Sequence, residues 1–261
     1  MSDLRPFLRS PETSGLFLDF DGTLSEIVTN PGDARPYPGA IDLLNKLGRR
    51  VGLLAIVSGR AATQLLEWLG PNIEIWGTHG AERTVDGSVV LSESAAPYTD
   101  LMQLVKKEAF EALAELDLDG VVLEDKGVML GLHFRAASNP SEAQERLDEL
   151  AADLSARHGL VRAGGRLAYE LRPPIEFSKA AVVLDRTREL GLTAAAFVGD
   201  DRVDLPGFDA LDRLAEEGVA TLRVAVDSDE APPELLERAD VVVHGPAGVL
   251  KLLAPLTLAE A

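Results

Sequence analysis

The sequence predicts an α/β protein, a doubly wound parallel sheet interrupted by a smaller inserted α+β segment. Two observations carry this reading. Short apolar runs that stop at polar or glycine positions alternate with helix-like segments towards both ends of the chain. The stretch between them has a different rhythm.

Gly15–Phe20 and Val51–Val57 are compact and apolar, as strands covered on both faces must be. Between them, Pro38–Arg50 carries Ile41, Leu43, Leu44 and Leu47 at helical spacing. Ala61–Leu69 repeats that pattern, and Ile73–Trp76 reads as a third strand. The alternation returns with a helix over Lys179–Leu190, ended by Gly191, and a strand over Ala194–Val198. It continues through helix Asp209–Glu217, strand Thr221–Val226, helix Pro232–Ala239, strand Val241–His244 and helix Ala247–Leu253. Sheets wound this way bind ligands at the carboxyl ends of their strands.

The middle predicts an αββ unit occurring twice. Helix Asp100–Leu116 precedes strands Gly120–Glu124 and Val128–Arg135, which turn around Lys126-Gly127. Helix Pro140–His158 precedes Leu160–Ala163 and Arg166–Leu171, with Gly164-Gly165 as the hairpin signal. The expected division is a catalytic core of residues 1–98 and 173–261, with residues 99–172 as an inserted cap.

Composition narrows the function. Of 261 residues, 46% are apolar, enough for a sizeable core, and the formal net charge is -18. That charge disfavours nucleic acid and anionic membrane surfaces as partners. It also repels a phosphorylated ligand, so a phosphate site must be made locally positive by a metal ion, Lys or Arg. The chain has no cysteine, which excludes disulfides, thiolate metal sites and cysteine nucleophiles and suits a reducing compartment. Its first residues lack the layout of a signal peptide, and no apolar run approaches the roughly 20 residues of a membrane span. The expectation is a cytoplasmic monomer acting on a small molecule.

The chemistry concentrates in four places. Asp19-Phe20-Asp21-Gly22-Thr23-Leu24 follows the first strand, where two carboxylates at one tip repel unless a cation compensates them. A hard divalent ion such as Mg²⁺ prefers such oxygen ligands. Ser58-Gly59-Arg60 follows the second strand with a hydroxyl and a cation for a phosphate, and Ser58 also suits the N-cap of the next helix. Lys179 opens a helix, where ammonium and backbone N–H groups can face one anion. Gly199-Asp200-Asp201, with Asp204 beyond, adds acidic oxygens after a buried strand, or else complements a helix dipole.

In this order, DFDGTL, SGR, a helix-opening lysine and GDD resemble the four motifs of the haloacid dehalogenase superfamily. More narrowly, the chain looks like the trehalose-6-phosphate phosphatases. The likeness includes His79-Gly-Ala-Glu82, Glu124-Asp-Lys-Gly127, His133-Phe-Arg135 and Glu170-Leu-Arg-Pro173. It spans nearly the whole chain, cap included.

The resemblance implies hydrolysis of trehalose 6-phosphate, with Asp19 as nucleophile and Asp21 as the acid and then the base. It implies Mg²⁺ held by Asp19, Asp200 and the backbone carbonyl of Asp21, with Asp201 or Asp204 behind them. Ser58 and Lys179 would hold the phosphoryl oxygens. Glu124, Lys126 and Glu170 on the cap would bind sugar hydroxyls, joined by Arg60 and His79 from the core, and cap closure would exclude water. The sequence departs from the family pattern at Val203 and Leu205, which replace a hydroxyl and a carboxylate, and around Lys179, where Ile175 or Glu176 and Ala180 replace glycines. Phosphatase action on a glucosylglycerol- or sucrose-type phosphate is the neighbouring reading. A catalytically silent sugar-phosphate-binding protein is the reading from another class.

Overall fold

The computed structural model describes residues 4–165, 167–175 and 177–258. Glu176, one of the departures above, and Arg166, at the start of an expected strand, lie outside them. The chain opens with α1 (Arg5–Arg9), β1 (Ser14–Leu18), α2 (Ala40–Leu47), β2 (Leu53–Val57), α3 (Ala62–Leu69) and β3 (Glu74–Gly77). Strands β4 (Glu82–Val85) and β5 (Ser88–Leu91) follow. The middle holds α4 (Thr99–Leu116), β6 (Val122–Asp125), β7 (Leu130–His133), α5 (Pro140–His158), β8 (Val161–Gly165) and β9 (Ala168–Arg172). The rest is α6 (Lys179–Glu189), β10 (Ala194–Gly199), α7 (Leu205–Glu216), β11 (Ala220–Asp227), α8 (Pro233–Arg238), β12 (Val241–His244) and α9 (Gly245–Leu253).

Among the described residues, eight strands form one sheet in the order β12-β11-β10-β1-β2-β3-β4-β5. The pairs from β12 through β3 are parallel, and β4 is antiparallel to β3. Successive strand residues face opposite ways, and both faces are covered. Phe17, Ala55, Val57 and Phe197 pack with Val183, Phe208, Leu211 and Leu214 on one face, while Leu16, Leu18, Leu54 and Ile56 on the other are also buried. From β1 the chain winds outward through β2 and β3, and later through β10, β11 and β12 on the other side. This reversal puts the topological switch point at the carboxyl ends of β1 and β10, where such sheets bind ligands.

The hairpin β4–β5 is absent from the sequence reading. Its strands have four residues each, and after buried Glu82 their side chains alternate between exposed and half-covered, so no continuous apolar run marks them. The turn carries a signal all the same. Asp86 and Gly87 have φ of 50° and 73°, as a two-residue type I′ turn requires. Helix α7 starts four residues before the expected Asp209, because Pro206 fits the first turn, where an N–H is dispensable.

By its contacts the chain forms two compact units. One comprises Met1–Ile27, Ala34–Val90 and Phe177–Ala261, the other Val28–Asp33 and Leu91–Glu176. In the second unit the twofold αββ pattern gives an antiparallel sheet in the order β6-β7-β9-β8. Leu130, Leu132 and Leu171 on one face of it pack against Met102, Val105, Leu147 and Leu154 of α4 and α5. Gly164 and Gly165 do not form the turn between β8 and β9. They lie in β8, paired with Tyr169 and Ala168, and the chain reverses one step later at Leu167, whose φ is 53°.

Phe208 and Leu132 are both fully buried, one in each unit. Phe208→Ala and Leu132→Ala should each lower unfolding free energy by about 2–5 kcal/mol in chemical denaturation.

Candidate active site

Three neighbouring strands deliver the site. Asp19 follows β1, Ser58 follows β2 and Asp200 follows β10, so parallel pairing alone brings them to one edge of the sheet. The Asp19 N–H extends the β1–β10 ladder, donating to the Val198 carbonyl at 2.9 Å. Lys179 is the first residue of α6, whose start is capped by the Ser178 hydroxyl accepting from the Ala180 N–H.

Lys179 is only 2% exposed, so its ammonium is held by protein groups and not by solvent. Its Nζ donates to Asp19 Oδ1 and to Asp204 Oδ1, each at 2.6 Å. The other oxygen of Asp204 accepts the Asp200 and Asp201 N–H groups at 3.0 and 3.1 Å. Asp204 therefore fixes both the ammonium and the backbone that presents Asp200. Asp201 instead accepts from the Arg202 N–H at 2.6 Å, in the helix-start role that was the plainer alternative for this cluster.

Asp19, Asp200 and Asp204 are all buried, and one carboxylate oxygen from each lies within 4.8 Å of the others. Gly22 makes this possible. Its φ is 75°, and a Cβ there would lie 2.1 Å from Asp200 Oδ2. Burial pushes the Asp19 carboxyl up from 3.8 to about 7 against the pull of the Lys179 ammonium, with Asp204 and Asp21 pushing the same way as burial. Burial depresses the Lys179 ammonium, but Asp19 and Asp204 outweigh it and hold the group above its ordinary value. The three buried carboxylates form an all-oxygen set of the kind that suits a hard divalent cation.

Asp21 stands apart from this cluster, its side chain 43% exposed. Arg60 grips it with two parallel bonds, Nε to Oδ2 and Nη2 to Oδ1, both 2.7 Å. The guanidinium is itself fixed. It lies 5.1 Å from the Trp68 ring centre and 5.7 Å from that of Phe20, and donates to Gln64 Oε1 at 2.9 Å. No local pattern encodes this pairing, since 39 residues separate the partners. Ser58 is 1% exposed, and its hydroxyl accepts the Arg60 N–H at 3.2 Å. It does not cap α3, as its place before that helix suggested. The Ala62 N–H at the start of α3 donates to Glu82 Oε2 at 2.7 Å. His79 occupies a tight turn with φ of 57°.

The two departures in the fourth motif now have places. Val203 is 47% exposed, whereas Leu205 joins the buried cluster around Phe208. Neither alters the carboxylates that meet Lys179.

In the second unit, Glu124, His133 and Glu170 lie on the sheet face opposite the leucines. Lys126 Nζ lies 2.7 Å from Glu170 Oε1 and 3.6 Å from Glu124 Oε2, and His133 Nε2 lies 2.7 Å from that Glu124 oxygen. Gly131 faces Glu124 on one side and Glu170 on the other. Its missing side chain leaves room for this contact, since a Cβ there would meet His133 Nε2 at 2.7 Å. The sequence reading quoted His133 without giving it a role. Two acceptors around a buried ammonium make a face suited to hydroxyl groups.

The sheet order, the inserted antiparallel unit and the acidic cluster at the switch point define a hydrolase fold of the haloacid dehalogenase type. A haloacid dehalogenase-like hydrolase from Bacteroides thetaiotaomicron superposes with a TM-score of 0.59 at 15% identity, over 93% of this chain and 99% of that one. The chain belongs to the trehalose-phosphatase family, whose model matches residues 17–238. A trehalose-phosphate phosphatase of Mycobacterium avium is 35% identical over 231 residues, covering 84% of this chain and 57% of the relative. That of Mycobacterium leprae is 32% identical over 210 residues, or 75% and 47%. The chain thus spans about half the length of these relatives. A trehalose-6-phosphate phosphatase related protein superposes with a TM-score of 0.79 at 22% identity, over 93% and 96% of the two chains.

The raised Asp19 value has a definite sign. Below pH 3.8 the carboxyl is neutral whether the chain is folded or not. Between there and about 7 the unfolded chain ionises first, so without metal the group costs stability as pH rises through that window. Asp19→Asn, melted in chelator, should gain stability over the parent from pH 4 to pH 8, by an amount on the order of a few kcal/mol. A difference independent of pH would contradict the assignment.

Proposed function

We propose that the chain is a cytoplasmic, Mg²⁺-dependent phosphatase that hydrolyses trehalose 6-phosphate to trehalose and phosphate through an aspartyl-phosphate on Asp19. The observation that carries this reading is the Asp19 carboxylate, anchored through one oxygen by buried Lys179 beside Asp200 at the switch point of the sheet. The names of its relatives support the substrate, and the cysteine-free composition suits a reducing cytosol. The core chemistry needs residues of one chain alone, which fits action as a monomer.

Asp19 attacks phosphorus, and the bond from phosphorus to the sugar oxygen breaks. Asp21 donates a proton to that oxygen. Water then attacks the aspartyl-phosphate, and Asp21 accepts its proton, releasing phosphate and restoring Asp19. Guanidinium N–H groups only donate, and an Asp21 oxygen that carries a proton accepts more weakly than a carboxylate oxygen, so protonation loosens its Arg60 contact. The paired arrangement is the resting one, and Arg60 acts here by holding Asp21. Ser58 and Lys179 hold phosphoryl oxygens, since positioning and charge dominate this reaction. Asp19, Asp200 and the Asp21 carbonyl would hold Mg²⁺, with Asp204 behind them. The ion supplies positive charge for the phosphoryl group. Glu124, Lys126 and Glu170 bind sugar hydroxyls, and His79 contributes to that binding from the core.

Purified protein assayed with Mg²⁺ against a panel of sugar phosphates should prefer trehalose 6-phosphate and lose turnover in chelator. Stronger turnover of a glucosylglycerol- or sucrose-type phosphate would reassign the substrate, and no turnover of any would favour a binding protein. Asp19→Asn should remove activity by at least about 10³-fold while keeping the fold. Lys126→Ala and Glu170→Gln should damage trehalose 6-phosphate hydrolysis far more than that of a small aryl phosphate. Equal loss on both would place these residues outside sugar recognition.

A further inference from the structure

Glu82 is a buried carboxylate, 6% exposed, for which the reaction above has no use. Its Oε2 accepts two bonds, from the Ala62 N–H at 2.7 Å and from the Thr78 hydroxyl at 3.1 Å. The first ties it to the start of α3. The second ties it to a strained turn, because Thr78 and His79 have φ of 51° and 57°. A β-branched residue in that region is strained and persists only where its surroundings impose it.

The strained turn is bonded to the loop that carries Ser58 and Arg60. The Thr78 N–H donates to the Arg60 carbonyl at 2.8 Å, and the His79 N–H to the Ser58 carbonyl at 2.9 Å. The imidazole lies against Gly59, where a Cβ would approach two of its ring atoms to 2.8 Å. A local cap would satisfy the helix start without reaching Thr78. Ala61, at the cap position of α3, offers no side-chain bond, and the charge comes instead from a strand 20 residues beyond Ala62.

We infer that Glu82 is a positioning residue for the phosphoryl-transfer reaction. Its carboxylate clamps the Thr78–His79 turn onto the Ser58–Arg60 loop and so fixes both the Ser58 hydroxyl and the guanidinium that holds Asp21. The inference rests on the reading that Ser58 and Asp21 act on the phosphoryl group. Because those groups serve the common phosphoryl centre, loosening them lowers turnover whatever the leaving group is.

The test is steady-state kinetics with Mg²⁺ on trehalose 6-phosphate and on a small aryl phosphate, well below the melting temperature. Glu82→Ala should lower kcat by about 10–100-fold on both substrates, with KM changed by less than about threefold. Glu82→Gln, whose amide oxygen can accept both bonds, should recover most of the loss. Leu253→Ala, a buried position in α9, serves as a control for lowered stability. Retained kcat in Glu82→Ala, an equal kcat loss in the control, or no recovery in Glu82→Gln would each overturn the proposal. If Glu82→Ala does not fold, Thr78→Val removes only the hydroxyl and should still lower kcat selectively; unchanged kcat there also overturns it. Ser58→Ala and Asp21→Asn separate the two layers. Full turnover in both sinks the catalytic reading itself, whereas their loss beside an intact Glu82→Ala sinks only the role of Glu82.

Discussion

Burying Asp19, Asp200 and Asp204 around Lys179 is the constraint that the rest of the structure serves. Carboxylates within 4.8 Å of one another under a protein surface repel strongly, and one ammonium offsets only part of that. The chain accepts this cost at the one place where the sheet reverses direction. The carboxyl ends of β1 and β10 lie side by side there, backed by strands buried on both faces. In the proposed reaction a divalent cation would relieve that repulsion. Asp204 illustrates the economy of the arrangement, since one side chain orients the lysine and the backbone bearing Asp200.

The proposed reaction divides chemistry from selection by chain segment. The groups that meet phosphorus in the proposed reaction come from strand tips and a helix start of the parallel sheet. The hydroxyl-binding candidates come from the antiparallel sheet of the inserted unit, whose leucine face is spent on its own helices and whose other face is left for polar groups. Each unit closes its own apolar core, so polar residues on the second sheet can change without disturbing the folding of the first.

Much of this was legible in the sequence, and for a physical reason. Strands covered on both faces must be continuously apolar, so β1, β2 and β10 announce themselves, and the acidic residues that follow them break the pattern sharply. Gly22 was readable as a turn, but not as the only residue type that leaves space for the Asp200 carboxylate. Elements whose side chains half face solvent were hidden, as in β4 and β5, although Asp86-Gly87 marked their turn. The glycine pair in β8 misled because glycine permits a turn without requiring one. Long-range pairings left no local trace at all. Arg60 on Asp21 and Glu82 on the start of α3 arise from the packing of strands and a helix, which no spacing rule encodes.

The most direct test of the account is calorimetric titration of Mg²⁺ into the purified chain and into an Asp200→Asn variant. The parent should bind one ion per chain with release of protons near pH 7, and binding should be weakened by at least about 10-fold in the variant. Undiminished binding in Asp200→Asn, or none in the parent, would contradict it.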